Sequence, residues 1–280
     1  MIHRLSLLLL TAAVSMAQEP DNANTRTRQL WDDSLLAQRP PSGKTPAARW
    51  PAQNLAKGAL VGITVWRLRP SKASDAREIR SLIHEDNAEQ ELTPERVSAD
   101  EPLKEGQKVR ISAEAAQEGY LYVIDRDEYA GGAKSDPYLI FPTLRTRGGD
   151  NRVVPGMVVE IPGSDDNPPY FKVERSRPDQ IDEVLTILIS PKPLADLKIG
   201  RQRLKLSQEQ FAGWEKLWKI KSSRLDDAVH QGTVYTPAEK EAARGGKLLT
   251  DDDPLPQTMY HLESRPGDTV MLDLSLKIAK

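Results

Sequence analysis

Through the middle of the chain, short apolar runs alternate with breaks of Gly, Pro, Asn and Asp. Residues 119–125 read Gly-Tyr-Leu-Tyr-Val-Ile-Asp, 138–142 Tyr-Leu-Ile-Phe-Pro, 151–156 Asn-Arg-Val-Val-Pro-Gly, 161–162 Ile-Pro and 185–190 Leu-Thr-Ile-Leu-Ile-Ser. Runs of this length between turn formers predict strands. A strand at 60–68 precedes them, where β-branched and aromatic residues alternate with small or polar ones. Strands at 108–115 and 120–125 are expected to pair as a hairpin through 117–119. Others follow at 138–141, 157–161, 170–174 and 184–190, with Pro142 and Pro162 closing theirs because proline cannot donate to a ladder. Near the C-terminus, 259–263 and 270–278 return to strand pattern, and Val270, Leu272, Leu274, Leu276 and Ile278 fall on one face. Close spacing without strand-to-helix alternation predicts a mainly β fold, an antiparallel immunoglobulin-like β-sandwich.

Between these strands the period changes. Ser207-Gln-Glu-Gln210 has the form of a capping box, and Phe211, Trp214, Leu217, Trp218 and Leu225 follow at helical spacings. A second cap stands at Thr236-Pro-Ala-Glu239, with Gly245-Gly246 as its stop. The pattern therefore predicts a helical insertion at about 200–247 within a domain spanning 59–280. The charged stretch 71–98 predicts a short helix near 74–84. Residues 18–58 are rich in Pro, Ala, Asn and Arg without a sustained period, and read as a linker or extended arm. Trp31 and Trp50 are the residues that would pin it to the domain.

In content and order, Tyr120-Leu-Tyr-Val, Leu139-Ile-Phe-Pro and the step from Asn151 to Gly156 resemble the bacterial domain-of-unknown-function family 4384. The resemblance covers about residues 60–194. It implies an accessory β-sandwich module, found alone after a signal peptide or fused behind kinase-like or peptidase-like domains, and it assigns no catalytic residues. The long connection at 125–137 and the insertion after Leu194 depart from the family pattern.

At the N-terminus, Met1-Ile-His-Arg leads into the apolar run 5–14 and ends in Ser15-Met-Ala17 before polar residues. A short charged region, an apolar stretch below membrane-spanning length and small residues at the cleavage positions predict a signal peptide over 1–17, cut after Ala17. Export to the periplasm or beyond is expected, with no membrane insertion after cleavage. The chain has no Cys, so a packed core and not disulfides must hold it. Its net charge of −2 indicates neither a nucleic-acid surface nor a polybasic membrane patch.

Candidate chemistry is sparse. His84, His230 and His261 stand outside any nucleophile-elbow or zinc-helix motif. The stretch from Asp125 to Asp136 places oxygen ligands, Asp125, Asp127 and Asp136, at spacings similar to a calcium loop. Ala130 stands where the sharp turn wants Gly and Tyr129 where a ligand belongs, so a hairpin connection explains the same residues. Calcium is the one cofactor to test. Asp165-Asp-Asn and Asp251-Asp-Asp are weaker acidic groups. The Trp214 and Trp218 stripe fits either a helix docked on its own core or an anchor for a partner groove. The expected function is a non-enzymatic module binding a protein or cell-envelope partner. The alternative is a hydrolase of envelope polysaccharide or peptide acting through carboxylates. A deep pocket with converging titratable groups would favour the enzyme, and a shallow apolar patch or free strand edge the module.

Overall fold

The computed structural model describes residues 22–43, 57–85, 88–98 and 100–279. The expected signal peptide, Trp50 and the adjoining parts of the arm lie outside these residues. In chain order the elements are α1 (Asn22–Leu36), β1 (Ala59–Pro70), β2 (Ser81–Glu85), β3 (Ala88–Val97), β4 (Lys108–Ala115), β5 (Gly119–Tyr129), β6 (Tyr138–Phe141) and β7 (Arg152–Val153). Then come β8 (Val158–Ile161), β9 (Phe171–Lys172), β10 (Gln180–Ser190), β11 (Leu204–Lys205), α2 (Gln208–Trp218), β12 (Ser222–Asp226), α3 (Pro237–Ala243), β13 (Thr258–Leu262) and β14 (Val270–Lys277).

The strands form two antiparallel sheets packed together. In the first, β4 pairs one edge of β1 while the other edge is shared, residues 59–63 pairing β13 and 65–70 pairing β3. Strand β2 extends from β3, β12 from β13, and β8 and β9 from β4. The second sheet runs β11, β6, β5, β10, β14, with β7 also on β5. Val61, Ile63, Ile111 and Ala113 face Leu121, Val123, Leu185, Ile187, Leu272 and Leu274 across the interior. Period-2 alternation puts these residues on one face, and their burial is the main driving term.

Strands β4 and β5 lie in different sheets, so the expected hairpin does not form. A tight turn specifies a reversal and not a partner. Val109, Ile111, Ala113 and Ala115 share one buried cluster with Leu121 and Val123 across the core. The charged stretch holds only a single turn of 3-10 helix, Arg77–Ile79, before β2 pairs with β3. There Leu92 and Ile83 bury against Trp66, and the sheet overrides local preference. Leu225, expected on a helical face, lies in β12 because the helix ends at Trp218.

The outer faces are covered as well. Part of the expected linker is helix α1, whose Trp31 and Leu35 pack on Leu60 and Met259. Its apolar residues are too few for a visible period, so docking and not propensity stabilises it. Arg28 fastens it by donating to the carbonyls of Leu225 and Pro256 at 3.2 and 3.3 Å. Helix α2 begins at Ser207, whose hydroxyl accepts from the Gln210 amide, and lies over the second sheet on Tyr122, Ile124, Leu139 and Met271. Helix α3 carries the full capping box of Thr236 and Glu239. Beneath it, charges are buried in pairs: Arg110 with Glu160 at 3.1 Å, and Arg96 with Glu239. Tyr235 donates to Glu160 at 2.5 Å. The loop before β13 lies directly on β1, where a Cβ at Gly62 would meet Pro256 Cγ at 2.1 Å.

Candidate functional site

At one end of the sandwich the inward-facing positions change from apolar to acidic. Along β5, Leu121 and Val123 belong to the core, and the same pleat continues into Asp125 and Asp127. Along β10 the core residues Ile187 and Leu185 are followed, in the reverse direction, by Glu183. Asp127 is the cross-strand partner of Glu183, and Asp125 of Leu185 on one side and Tyr138 of β6 on the other. The carboxyls of Asp125 and Glu183 are thus diagonal neighbours on one face of the sheet.

These acids line a cleft of about 730 Å³, with Ile161, Pro162, Tyr170 and Phe171 contributed from the first sheet. Basic side chains also line it, among them Arg145, Lys172, Arg175, Arg201 and Arg203. A second hollow of about 530 Å³, reaching Asp165 and Asn167, shares Arg145, Asp166, Arg201 and Gln202 with the first. The two hollows thus border on the same four residues.

The acids differ in environment. Asp127 is fully engaged, accepting from Ser176 Oγ at 2.6 Å, Gln180 Nε2 at 2.8 Å and the Tyr129 hydroxyl at 3.2 Å. Asp125 keeps a buried oxygen, Oδ1, without a hydrogen-bond partner. Burial first, and then the neighbouring Asp125 and Asp127, push Glu183 up to about 8. Burial and Asp127 likewise raise Asp125 to about 6, partly offset by the Arg203 guanidinium. Near neutral pH the pair therefore holds one proton, with a donor and an acceptor side by side.

Asp125, Asp127 and Asp136, the calcium candidates, all line this cleft, but not as an ion loop. The first two are strand residues, and Asp136 is held by Lys205 and by Gln208 Nε2 at 3.0 Å. Among the described residues, no group of three acids or histidines has an arrangement that holds a metal. Asp166 accepts from the Gly163 amide and Thr146 hydroxyl, and Asp251 from the Ser42 amide, so both of these acidic groups serve loop geometry. His230 Nδ1 lies 2.5 Å from Asp227, and no hydroxyl bonds its ring among the described residues. His261 stacks on Trp31, and His84 falls in β2. Trp214 and Trp218 stack on each other at 5.7 Å and are half-buried against their own sheet, while Leu217 between them is 71 % exposed. Sequence reasoning missed Glu183. The signal was present, since a period-2 apolar strand that ends in acids of the same parity carries those acids into the interior.

Comparison with family models finds none that matches the chain, and no curated protein or solved structure shows significant similarity to it.

Proposed function

We propose that this chain is an exported, non-enzymatic accessory module of immunoglobulin-like kind, and that the groove at the end of the sandwich engages a protein or cell-envelope partner. The resemblance to family 4384 supports the accessory role, resting on the runs at 120–123, 139–142 and 151–156. The observation that carries the binding reading is the groove itself: about 730 Å³, lined by residues of both sheets and by both acids and arginines.

The hydrolase reading gains from the same place, because titratable groups do converge there. Geometry divides it. Glycoside hydrolysis needs two carboxyls roughly 5 Å or more apart, on either side of the scissile bond. Asp125 and Glu183 sit side by side, as diagonal neighbours on β5 and β10. A proton shared between adjacent carboxyls fits peptide hydrolysis instead, as in aspartic proteases, and this is the second reading.

One experiment addresses both. Immobilised wild type should retain a component of the envelope fraction that the double variant Asp125→Asn, Arg201→Gln does not, and should leave a mixed peptide library uncut. Retention unchanged by the double variant overturns the proposed site. Peptide cleavage that disappears in Asp125→Asn establishes the hydrolase instead.

A further inference from the structure

The groove carries opposite charges in different places, and two of its polar atoms are buried without partners. One is an acceptor, Asp125 Oδ1, and the other a donor, Arg175 Nε. Among the described residues, no arginine forms a salt bridge with Asp125 or Glu183. The nearest, Arg203, lays its guanidinium over the Tyr138 ring at 4.1 Å and hydrogen-bonds neither carboxyl. Where the two hollows join, Arg145 donates only to the Asn167 carbonyl and Arg201 has no carboxylate partner among the described residues. Two of the cleft's rings already carry a cation on one face, Tyr138 under Arg203 and Tyr170 under Lys108 at 4.8 Å.

We infer that the groove takes a bipolar chain, with a primary ammonium group seated on Asp125 and Glu183 between the sheets and a carboxylate on Arg145 and Arg201 where the hollows meet. This rests on the groove being the binding site. An ammonium is a compact charge with three donors, suited to two adjacent carboxyls and to the open Asp125 Oδ1. A desolvated acid pair gains more from a paired charge than from a neutral solute. The ligand class is a peptide or amino-acid derivative bearing a lysine-like side chain and a free carboxylate.

Seating the ammonium favours the ionised form of both acids and so expels the proton they share. The other charged groups lining the cleft are Asp127 on β5, Asp136 before β6, Arg145 and Asp166 on loops, Arg201 and Arg203 ahead of β11, and Lys172, Glu174 and Arg175 on the segment that begins with β9. Glu183 is raised to about 8, so the proton is expelled on binding at neutral pH, and affinity should climb as pH rises from 6 to 8.

The test is a chemical-shift titration of the full chain with Nα-acetyl-lysine, which carries both charges, with its amide, which keeps only the ammonium, and with Nα,Nε-diacetyl-lysine, which keeps only the carboxylate. Nα-acetyl-lysine should bind on the order of tenfold more tightly than either one-charge probe. Asp125→Asn should weaken the two ammonium probes by a similar factor and leave the diacetyl probe unchanged, with Arg145→Gln, Arg201→Gln doing the reverse. Glu183→Gln should abolish proton release, read as buffer-dependent heats. Each variant is first shown to melt cooperatively. Equal affinity for all three probes, or binding indifferent to Asp125→Asn, overturns the inference. Calcium or chitotriose shifting the groove resonances where Nα-acetyl-lysine does not overturns the inference alone. If no probe perturbs the groove and the envelope component is retained equally by wild type and by Asp125→Asn, Arg201→Gln, the site and the inference fall together.

Discussion

Arg39 and Glu114 are joined edge to edge by two hydrogen bonds of 2.7 Å, and their side chains are 1 % and 4 % exposed. The remaining guanidinium N–H groups reach the carbonyls of Thr250, Asp253 and Pro254 at 3.2, 2.9 and 3.0 Å. One side chain thus ties the segment after α1 to the outer face of β4 and to the loop before β13. Removing one partner of such a pair leaves an uncompensated buried charge. Arg39→Ala is expected to cost about 3–5 kcal/mol in urea unfolding. The double variant Arg39→Met, Glu114→Leu should cost clearly less, since it leaves no orphaned charge. A double variant as unstable as Arg39→Ala would count against this account.

The acid pair predicts an unusual pH dependence. Glu183 ordinarily titrates near 4.5 and is raised to about 8 in the fold, and Asp125 moves from 3.8 to about 6. Between those values the native state binds protons that the unfolded chain has released. The pair's contribution is therefore fully present below about pH 4 and lost as pH rises through the folded values. We expect wild type to lose on the order of 4 kcal/mol more than Glu183→Gln between pH 5 and 9. Urea midpoints at both pH values for the two proteins measure it, and parallel pH profiles would refute it.

Trp214 and Trp218 pack on Phe211 and the second sheet and are partly exposed. Replacing a fully buried Trp by Ala costs about 3–5 kcal/mol, and partial exposure should bring each of these to about 2–3 kcal/mol. The double Ala variant should therefore still fold, with a lowered melting temperature. Its difference fluorescence from wild type should peak between the emission of free indole and that of a buried Trp. A collapse of cooperative unfolding would place the pair in the core, and an unchanged melting temperature would place it outside the packed structure.

Calcium should leave the melting temperature unchanged. Asp127 is saturated by Ser176, Gln180 and Tyr129, and Asp136 by Lys205 and Gln208, so an ion would have to break these bonds to gather the three acids. Ligand binding to the native state alone raises stability by RT ln(1 + [L]/Kd). A rise on adding millimolar calcium to chelator-treated protein, absent in Asp127→Asn, would establish the calcium reading.

The last strand shows how directly pattern can fix burial: Val270, Leu272, Leu274, Leu276 and Ile278 alternate in the sequence and are all buried. Both helix caps, at Ser207 and Thr236, were equally legible, because capping is local chemistry. Partnership was not. The turn at 117–119 signals a reversal whether its strands pair or part, and only the gain from closing two apolar faces over one core sends β4 and β5 into different sheets. Helix α1 has too few apolar positions to announce itself, and it exists where Leu60 and Met259 offer Trp31 a surface. The groove belongs to the same class. Asp125 and Glu183 lie far apart in the chain, and neither is distinctive there. The register of β5 against β10 makes them diagonal neighbours, and the desolvation that raises both is a property of the packed sheets alone.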